Sequence, residues 1–313
     1  MTQSDFISRA RGSFLGLAVG DALGTTLEFA ARDSRPALAD MIGGGPFNLE
    51  AGEWTDDTSM ALCLAESLAS QHELDAHDLM RRFTRWREDG YNSHNGRCFD
   101  IGMTTGQAIT RYARTNDPFS GSTDPQSSGN GGIMRLAPAP IAHANDRRQA
   151  IDVARQQSRT THGSDLCLAG TDIITHLLID AFEERISDFS SDDLRDRLRL
   201  HAGNASREWS VDLPSWWVSD QPVPARDDIR SSGFVIHTLD AALWACLTGK
   251  AFEAALLLAV NLADDADTVG AVTGQIAGAV LGVSAIPDDW MTKLVWRDRI
   301  DSLARQLAGV STP

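Results

Sequence analysis

Residues 261–282 read NLADDADTVGAVTGQIAGAVLG, and their glycines constrain the fold more than any other feature of the 313-residue chain. From Thr268 onward the stretch reads as a helix, with Gly270, Gly274, Gly278 and Gly282 at every fourth position. Residues four apart share one helical face, so the four form a stripe. A glycine inside a helix costs about 1 kcal/mol relative to alanine. The stripe therefore needs a packing reason, and close approach by another helix is the simplest one. Residues 5–24 read as the first helix and repeat the spacing in Gly12, Gly16, Gly20 and Gly24. The two helices, 12–24 and 270–282, are expected to pack directly against each other. In a membrane this spacing would suggest helix dimerisation. Arg9, Arg11 and Asp21 interrupt the first helix and point instead to a contact in a soluble core.

Acidic residues sit where apolar ones are expected. Asp264, Asp265 and Asp267 lie inside the apolar run just before the second stripe, followed by Thr268. An isolated carboxylate in such surroundings costs several kcal/mol unless compensated. Capping of the helix N-terminus accounts for one aspartate but not for three. The segment WTDDTSMALCLAESLAS repeats the theme, with Thr55, Asp56 and Asp57 at the start of a helical apolar pattern. Neighbours on a helix point about 100° apart, so Asp56 and Asp57 do not cap the same site. The two clusters explain each other if they converge on a hard cation.

Charge and cysteine usage exclude several classes. A formal net charge of −15, with no basic cluster, argues against a nucleic-acid backbone as partner. Cys63, Cys98, Cys167 and Cys246 lie far apart without a C-x-x-C pair, so neither a disulfide framework nor a zinc site is expected. The N-terminus lacks the basic-then-apolar order of a signal peptide. The most apolar stretches are broken by aspartates or too short to span a bilayer, so a cytoplasmic protein is expected.

Further helical patterns cover residues 75–88, 100–114, 146–159, 164–184, 232–247, 252–262 and 288–308. Residues 33–54, 116–132 and 210–230 are rich in breakers and read as loops. The second of these ends in Gly129, Asn130, Gly131 and Gly132, where backbone N–H groups could approach a phosphate. His162 lies in a polar break between helices, whereas His176 and His237 fall within helical patterns. No segment alternates as a strand does, and no linker divides the chain. One all-α domain over residues 1–313 is predicted.

Five segments together carry a resemblance: Gly16-Leu-Ala-Val-Gly-Asp21-Ala-Leu-Gly24, Thr55-Asp-Asp-Thr-Ser-Met60, Asn130-Gly-Gly-Ile-Met-Arg135, Thr160-Thr-His162-Gly and Asp264-Asp-Ala-Asp-Thr268. In these, and in their order along the chain, the sequence resembles the ADP-ribosylglycohydrolase family, which includes the dinitrogenase reductase-activating glycohydrolase. The resemblance implies two Mg²⁺ or Mn²⁺ ions in a central cleft of a many-helix domain. It implies Thr55, Asp56, Asp57, Asp265, Asp267 and Thr268 as metal ligands, with Glu28 at the metals and Asp100 near the substrate. It also implies that Gly129, Asn130, Gly131, Gly132 and His162 contact ADP-ribose. One departure is visible. Many members read Gly-Gly-Asp where this chain has Ala263-Asp264-Asp265, so Asp264 is left out of the ligand set.

The implied ligands are all oxygen donors, which suits Mg²⁺ or Mn²⁺ and disfavours zinc. Glycosidic cleavage commonly uses carboxylates flanking the bond, and paired metals can orient a sugar and activate water. Glu28 or Asp100 would then handle protons. The implied reaction is hydrolysis of ADP-ribose from a modified side chain, on a protein or a small conjugate, with arginine favoured. Cleavage of O-linked ADP-ribose (seryl, or O-acetyl) is the alternative. A non-catalytic ADP-ribose-binding relative would have no need of so complete a set of acidic ligands.

Overall fold

The computed structural model describes residues 2–71, 73–189 and 192–310. Helix α1 (Gln3–Gly24) is buried along its whole C-terminal half, and its partner is the helix formed by Ala266–Leu281. The glycine stripes meet along several turns. A Cβ built on Gly16 would lie 2.2 Å from the carbonyl oxygen of Gly274, and one on Gly274 would lie 1.9 Å from that of Gly16. Gly20 and Gly270 stand in the same relation, at 2.0 and 2.3 Å. No side chain fits between backbones this close, which is why both sequences keep glycine there. Gly282 lies just past the stripe: with φ 78° it ends its helix.

Between these two elements run α2 (Asp56–Gln71), α3 (Ala76–Asp89), α4 (Met103–Thr115), α5 (Gly131–Met134) and α6 (Pro138–Ala142). Then come α7 (Arg147–Arg159), α8 (Asp165–Phe182), α9 (Asp193–Trp209), α10 (Ser215–Val218), α11 (Val235–Gly249) and α12 (Phe252–Val260). The stripe-bearing partner is α13 (Ala266–Leu281), followed by α14 (Asp288–Lys293) and α15 (Arg297–Leu307). The protein is all-α; the only β pairings among the described residues are isolated bridges. Helices α2, α8, α12 and α15 pack around α1, while α8, α11 and α12 pack on α13. A pair drawn from opposite ends of the chain thus forms the centre, and the other helices cover it.

Three elements differ from the reading of the sequence. Residues 288–308 form two helices rather than one. The break at Leu294–Trp296 lets Val295 donate to the Gly52 carbonyl at 3.0 Å and accept from the Trp54 indole at 3.0 Å, with Trp296 at φ 58°. Helix α9 was not anticipated. Seven of the 17 residues of DLRDRLRLHAGNASREW are charged, and only Leu194, Leu198, His201, Ala202 and Ala205 are buried. Helix α4 starts at Met103, which leaves Asp100 outside it at φ 58°.

Candidate active site

The N-termini of α2 and α13 point at each other, and each is capped by a carboxylate from elsewhere. Asp21, on α1, accepts hydrogen bonds from the Thr55 N–H and hydroxyl at 2.8 and 2.9 Å through one oxygen. Through the other it accepts from the Thr58 N–H and hydroxyl at 3.0 and 2.6 Å. Glu28 Oε2 accepts from the N–H groups of Ala266 and Asp267 at 2.8 and 3.4 Å. Amides at the start of both helices are thereby satisfied from outside, and Asp267 adds a local cap by accepting the Thr268 N–H at 2.8 Å. Asp265, at the N-cap position of α13, makes no side-chain cap bond, and with Asp56, Asp57 and the second oxygen of Asp267 it is left for another task.

The two clusters meet. Thr55 Oγ1 lies 3.1 Å from Asp267 Oδ2, and Thr268 Oγ1 lies 3.3 Å from Asp57 Oδ2. One carboxylate oxygen from each of Glu28, Asp265 and Asp267 lies within 4.8 Å of the other two. Above them opens a cleft of about 360 Å³. Glu28, Asp56, Asp100, Asp265, Asp267 and Thr268 line it on one side; Gly129, Asn130, Gly131 and His162 also line it. Thr55 and Asp57 lie fully buried beneath.

A family model described as ADP-ribosylglycohydrolase matches residues 2–313, a span that contains every residue of this cleft. The chain belongs to the ADP-ribosylglycohydrolase family. It is 43% identical over 309 residues to the ADP-ribosylarginine hydrolase Tri1 of Serratia proteamaculans, covering 97% of this chain and 80% of that one. It is 32% identical over 305 residues to the ADP-ribosyl-[dinitrogen reductase] glycohydrolase of Rhodospirillum rubrum, covering 94% and 92%. Among solved structures, an ADP-ribosylglycohydrolase-related protein complex superposes with a TM-score of 0.79 at 38% identity, over 99% of this chain and 100% of that one. Membership makes the protein a glycohydrolase, and the resemblance read from its motifs holds.

In this ADP-ribosylglycohydrolase the carboxylates fit a hard cation. Burial, reinforced by the neighbouring acids, pushes Asp265 up to about 8 and Asp267 up to about 6, and raises Asp56 and Asp57 well above the usual carboxylate range. Burial and the charges of Asp267 and Asp265 likewise raise Glu28. Burial carries Asp100 to about 7. Among the described residues no arginine or lysine forms an ion pair with any of these acids. Asp57 Oδ1 is buried with no hydrogen-bond partner. An orphaned carboxylate oxygen amid oxygen donors of one sign is what a divalent ion neutralises.

The glycine loop of the glycohydrolase is shaped by His162. A Cβ on Gly131 would lie 2.4 Å from His162 Cε1, so the imidazole presses directly on the loop. Burial, with Arg135 nearby, lowers His162 to about 3, so the ring is neutral at physiological pH. It shapes the cleft wall and does not supply positive charge. Asn130 reaches across the cleft: its Nδ2 donates to Asp265 Oδ2 at 2.5 Å and to Thr238 Oγ1 at 2.9 Å. Gly132 stands behind the cleft wall, where a Cβ would meet Ser158 Oγ at 2.3 Å. Glu28, Asp100, Gly129, Asn130, Gly131 and His162 are thus brought to the acidic cluster, and Gly132 is not.

Reading the sequence missed the part played by Asp21, taken there only as an interruption of an apolar helix. Its signal is the same one that marked Asp264 to Asp267, a carboxylate in a stretch buried on every side. Two other acids in apolar helical sequence, Asp172 and Asp180 on α8, instead hold Arg155 and Arg147 at 2.6 Å. Asp240 on α11 is likewise held, by the Trp216 and Trp217 indole N–H groups at 2.8 Å, so burial of an acid marks the site only where several acids converge.

Proposed function

We propose that this enzyme hydrolyses the N-glycosidic bond between ADP-ribose and an arginine side chain, working with two divalent cations, Mg²⁺ or Mn²⁺. The observation that carries the reading is the meeting of Glu28, Asp265 and Asp267 on the wall of a cleft that also holds the Gly129–Gly131 loop and His162. The choice of arginine follows the ADP-ribosylarginine hydrolase, the more similar of the two relatives named above.

Thr55, Asp56, Asp57, Asp265, Asp267 and Thr268 would hold the ions, which when bound orient ribose hydroxyls, stabilise developing charge and lower the pKa of water. The chain's own contribution is to hold these ligands still. Asp21 and Glu28 pin the two helix N-termini from outside, which leaves Asp56, Asp57, Asp265 and one oxygen of Asp267 facing the ions. Asp267 lies within hydrogen-bonding reach of both Glu28 and Asp100. Those two acids carry the proton transfers: one accepts the proton of the attacking water and the other returns a proton to the departing nitrogen. The glycine loop and neutral His162 receive the nucleotide part without adding a competing charge.

The test is a substrate panel of ADP-ribosyl-arginine, ADP-ribosyl-serine peptide and O-acetyl-ADP-ribose, assayed with Mg²⁺, with Mn²⁺ and with chelator. Metal-dependent release of ADP-ribose from the arginyl substrate is expected. Release from seryl but not arginyl substrate would overturn the linkage, and full turnover after exhaustive chelation would overturn the role of the cations.

A further inference from the structure

Two side chains at the mouth of the cleft have no part in the chemistry above, and both are displayed by unusual backbone. Phe29 follows Glu28 directly and sits at φ 58°, with its side chain 66% exposed. Asp264 precedes Asp265 and sits at φ 64°, also exposed. The left-handed region is uncommon for any residue with a side chain and an outlier for a bulky one such as phenylalanine. Each holds the other in place. The Phe29 N–H donates to the Asp264 carbonyl at 2.7 Å, and the Asp264 N–H donates to the Ala30 carbonyl at 2.9 Å. The chain thus fixes an exposed aromatic ring and an exposed carboxylate, each one residue away from an acid of the cluster.

Their surroundings leave both groups available. Asp264 has no side-chain hydrogen bond or ion pair among the described residues, unlike nearby Asp33, which holds Arg226 at 2.6 Å. His237, which lines the same groove as Asp264, is bonded through Nδ1 to Ser232 Oγ at 2.7 Å. Phe29 is braced on one side, edge to face, by Phe47 with ring centroids 6.2 Å apart, and Phe47 is braced in turn by Phe99 at 5.3 Å. Phe29 and Asp264 both line the main cleft and also an adjoining groove of about 520 Å³. They stand where the two open into each other. Asp227 and Arg230 also line that groove, Asp227 lying 3.9 Å from Arg226, while Arg32 spends its N–H groups on the carbonyls of Leu262, Arg226 and Ile229.

A flat ring beside an unpaired carboxylate is matched to a planar, delocalised cation. Guanidinium stacks on aromatic faces and donates in a bidentate fork to a carboxylate, which neither an ester nor a hydroxyl leaving group does. We infer that Phe29 and Asp264 form a clamp for the guanidinium of the arginine being released, and that this clamp sets the enzyme's preference for N-linked arginine over O-linked ADP-ribose. The inference rests on the arginyl reading given above. It assigns a role to Asp264, which stands outside the metal ligand set. The clamp holds the leaving group on the groove side while the ribose stays at the acidic cluster. Binding to it is made in the ground state, so its loss falls mainly on KM.

The test uses the full chain loaded with Mn²⁺ and the variants Asp264→Asn, Asp264→Gly, Phe29→Ala and Phe29→Trp. The readout is KM for ADP-ribosyl-arginine divided by the inhibition constant of free ADP-ribose, which reports on the same cleft without the guanidinium. This ratio is expected to rise about tenfold or more in Asp264→Asn, Asp264→Gly and Phe29→Ala, and to stay near wild type in Phe29→Trp, whose ring binds cations better. Asp264→Gly relieves the left-handed backbone, so it keeps the fold while removing the carboxylate. A ratio changed less than about twofold in both Asp264→Asn and Phe29→Ala, with the wild type active on arginyl substrate, overturns the clamp and leaves the arginyl activity standing. An equal loss of ADP-ribose and substrate binding in Asp264→Gly also overturns it, since that marks a structural role. A wild type inactive on arginyl substrate overturns the arginyl reading and the clamp together.

Discussion

The carboxylate of Asp21 accepts the backbone N–H of Thr55 at 2.8 Å and its hydroxyl at 2.9 Å, so the helix that presents Asp56 and Asp57 is capped by a residue of α1. Replacing Asp21 by asparagine keeps its shape but removes the second acceptor, leaving Thr58 N–H and Oγ1 facing an amide nitrogen. A buried donor left unsatisfied costs about 1–3 kcal/mol. With saturating Mg²⁺, Asp21→Asn should lower the urea midpoint by that equivalent. A midpoint matching wild type would mean that the trans cap contributes nothing.

Substitutions at glycine should split by position rather than by residue type. Gly274→Leu must push two backbones apart at a contact where even a Cβ would sit 1.9 Å from the Gly16 carbonyl oxygen. Overpacking of this kind costs about 1–3 kcal/mol or more. Gly106→Ala, on α4, meets only Ile101 Cδ1 at 3.9 Å and should gain about 0.5–1 kcal/mol in helix propensity. Thermal unfolding of the pair checks both signs. Equal effects would remove the case for the stripe.

Divalent cations should stabilise the fold by mass action, because they bind a cluster that only the native chain assembles. Asp265→Asn removes one ligand and one repelling charge together. It should lose most of the metal-dependent rise in Tm while costing little, or even helping, in chelator. An identical metal-dependent shift in wild type and variant would show that Asp265 is not a ligand.

Asp56→Asn and Asp267→Asn should each abolish most turnover, since each takes a charged oxygen donor from a site of hard ligands. Initial rates under saturating Mn²⁺ are the measurement. Near-wild-type rates in either variant would place that residue outside the metal set.

The pH dependence follows from the same acids. In chelator, Asp21, Asp100, Asp265 and Asp267 sit at about 7, 7, 8 and 6, raised first of all by burial from an unfolded value of 3.8. A raised carboxylate means that the folded state binds more protons. Its contribution is present below about pH 4 and is lost as pH rises through these values. His162, lowered to about 3, and His176, lowered to about 4, act in the opposite sense together with the lowered His94, His143 and His237, an effect that fades as pH rises past their unfolded value of about 6.5. Between about pH 6.5 and 8 the raised acids of the folded state hold more protons than the unfolded imidazoles still do, so the chelated protein should lose stability across that window. The gain on adding Mg²⁺ should grow, since fewer protons then need displacing. Urea midpoints at the two pH values, with and without metal, decide it; a metal-dependent gain that shrinks toward pH 8 would contradict the assignment.

Local periodicity made the α1–α13 contact legible, because a four-residue spacing states both the helix and the face that must be approached. The acidic clusters were legible for a similar reason, as charges set in apolar runs. What escaped was relational. Nothing near Asp21 names Thr55 as its partner, and nothing near Glu28 names Ala266, since both caps are made between segments distant in the chain. Helix α9 escaped because its charged residues outnumber the five it buries, two of which are alanines and one a histidine. The neutrality of His162 depends on how deeply Arg135 and the glycine loop enclose it, which no spacing records. Asp264 was set aside as a departure from a pattern, and its meaning emerged only from its exposed carboxylate and its hydrogen bond with Phe29.

The pairing of α1 with α13 also orders events at the ribosome. Glu28 and the amide it caps, on Ala266, are 238 positions apart. At synthesis rates of about 5–20 residues per second, the interval between their emergence is on the order of 10–50 s. Throughout it α1 has left the exit tunnel while the helix that covers its glycine face is still unmade. Neither the core nor the acidic cleft can be completed during translation of the intervening helices. The nascent chain must be kept from aggregating by other means until its last quarter appears.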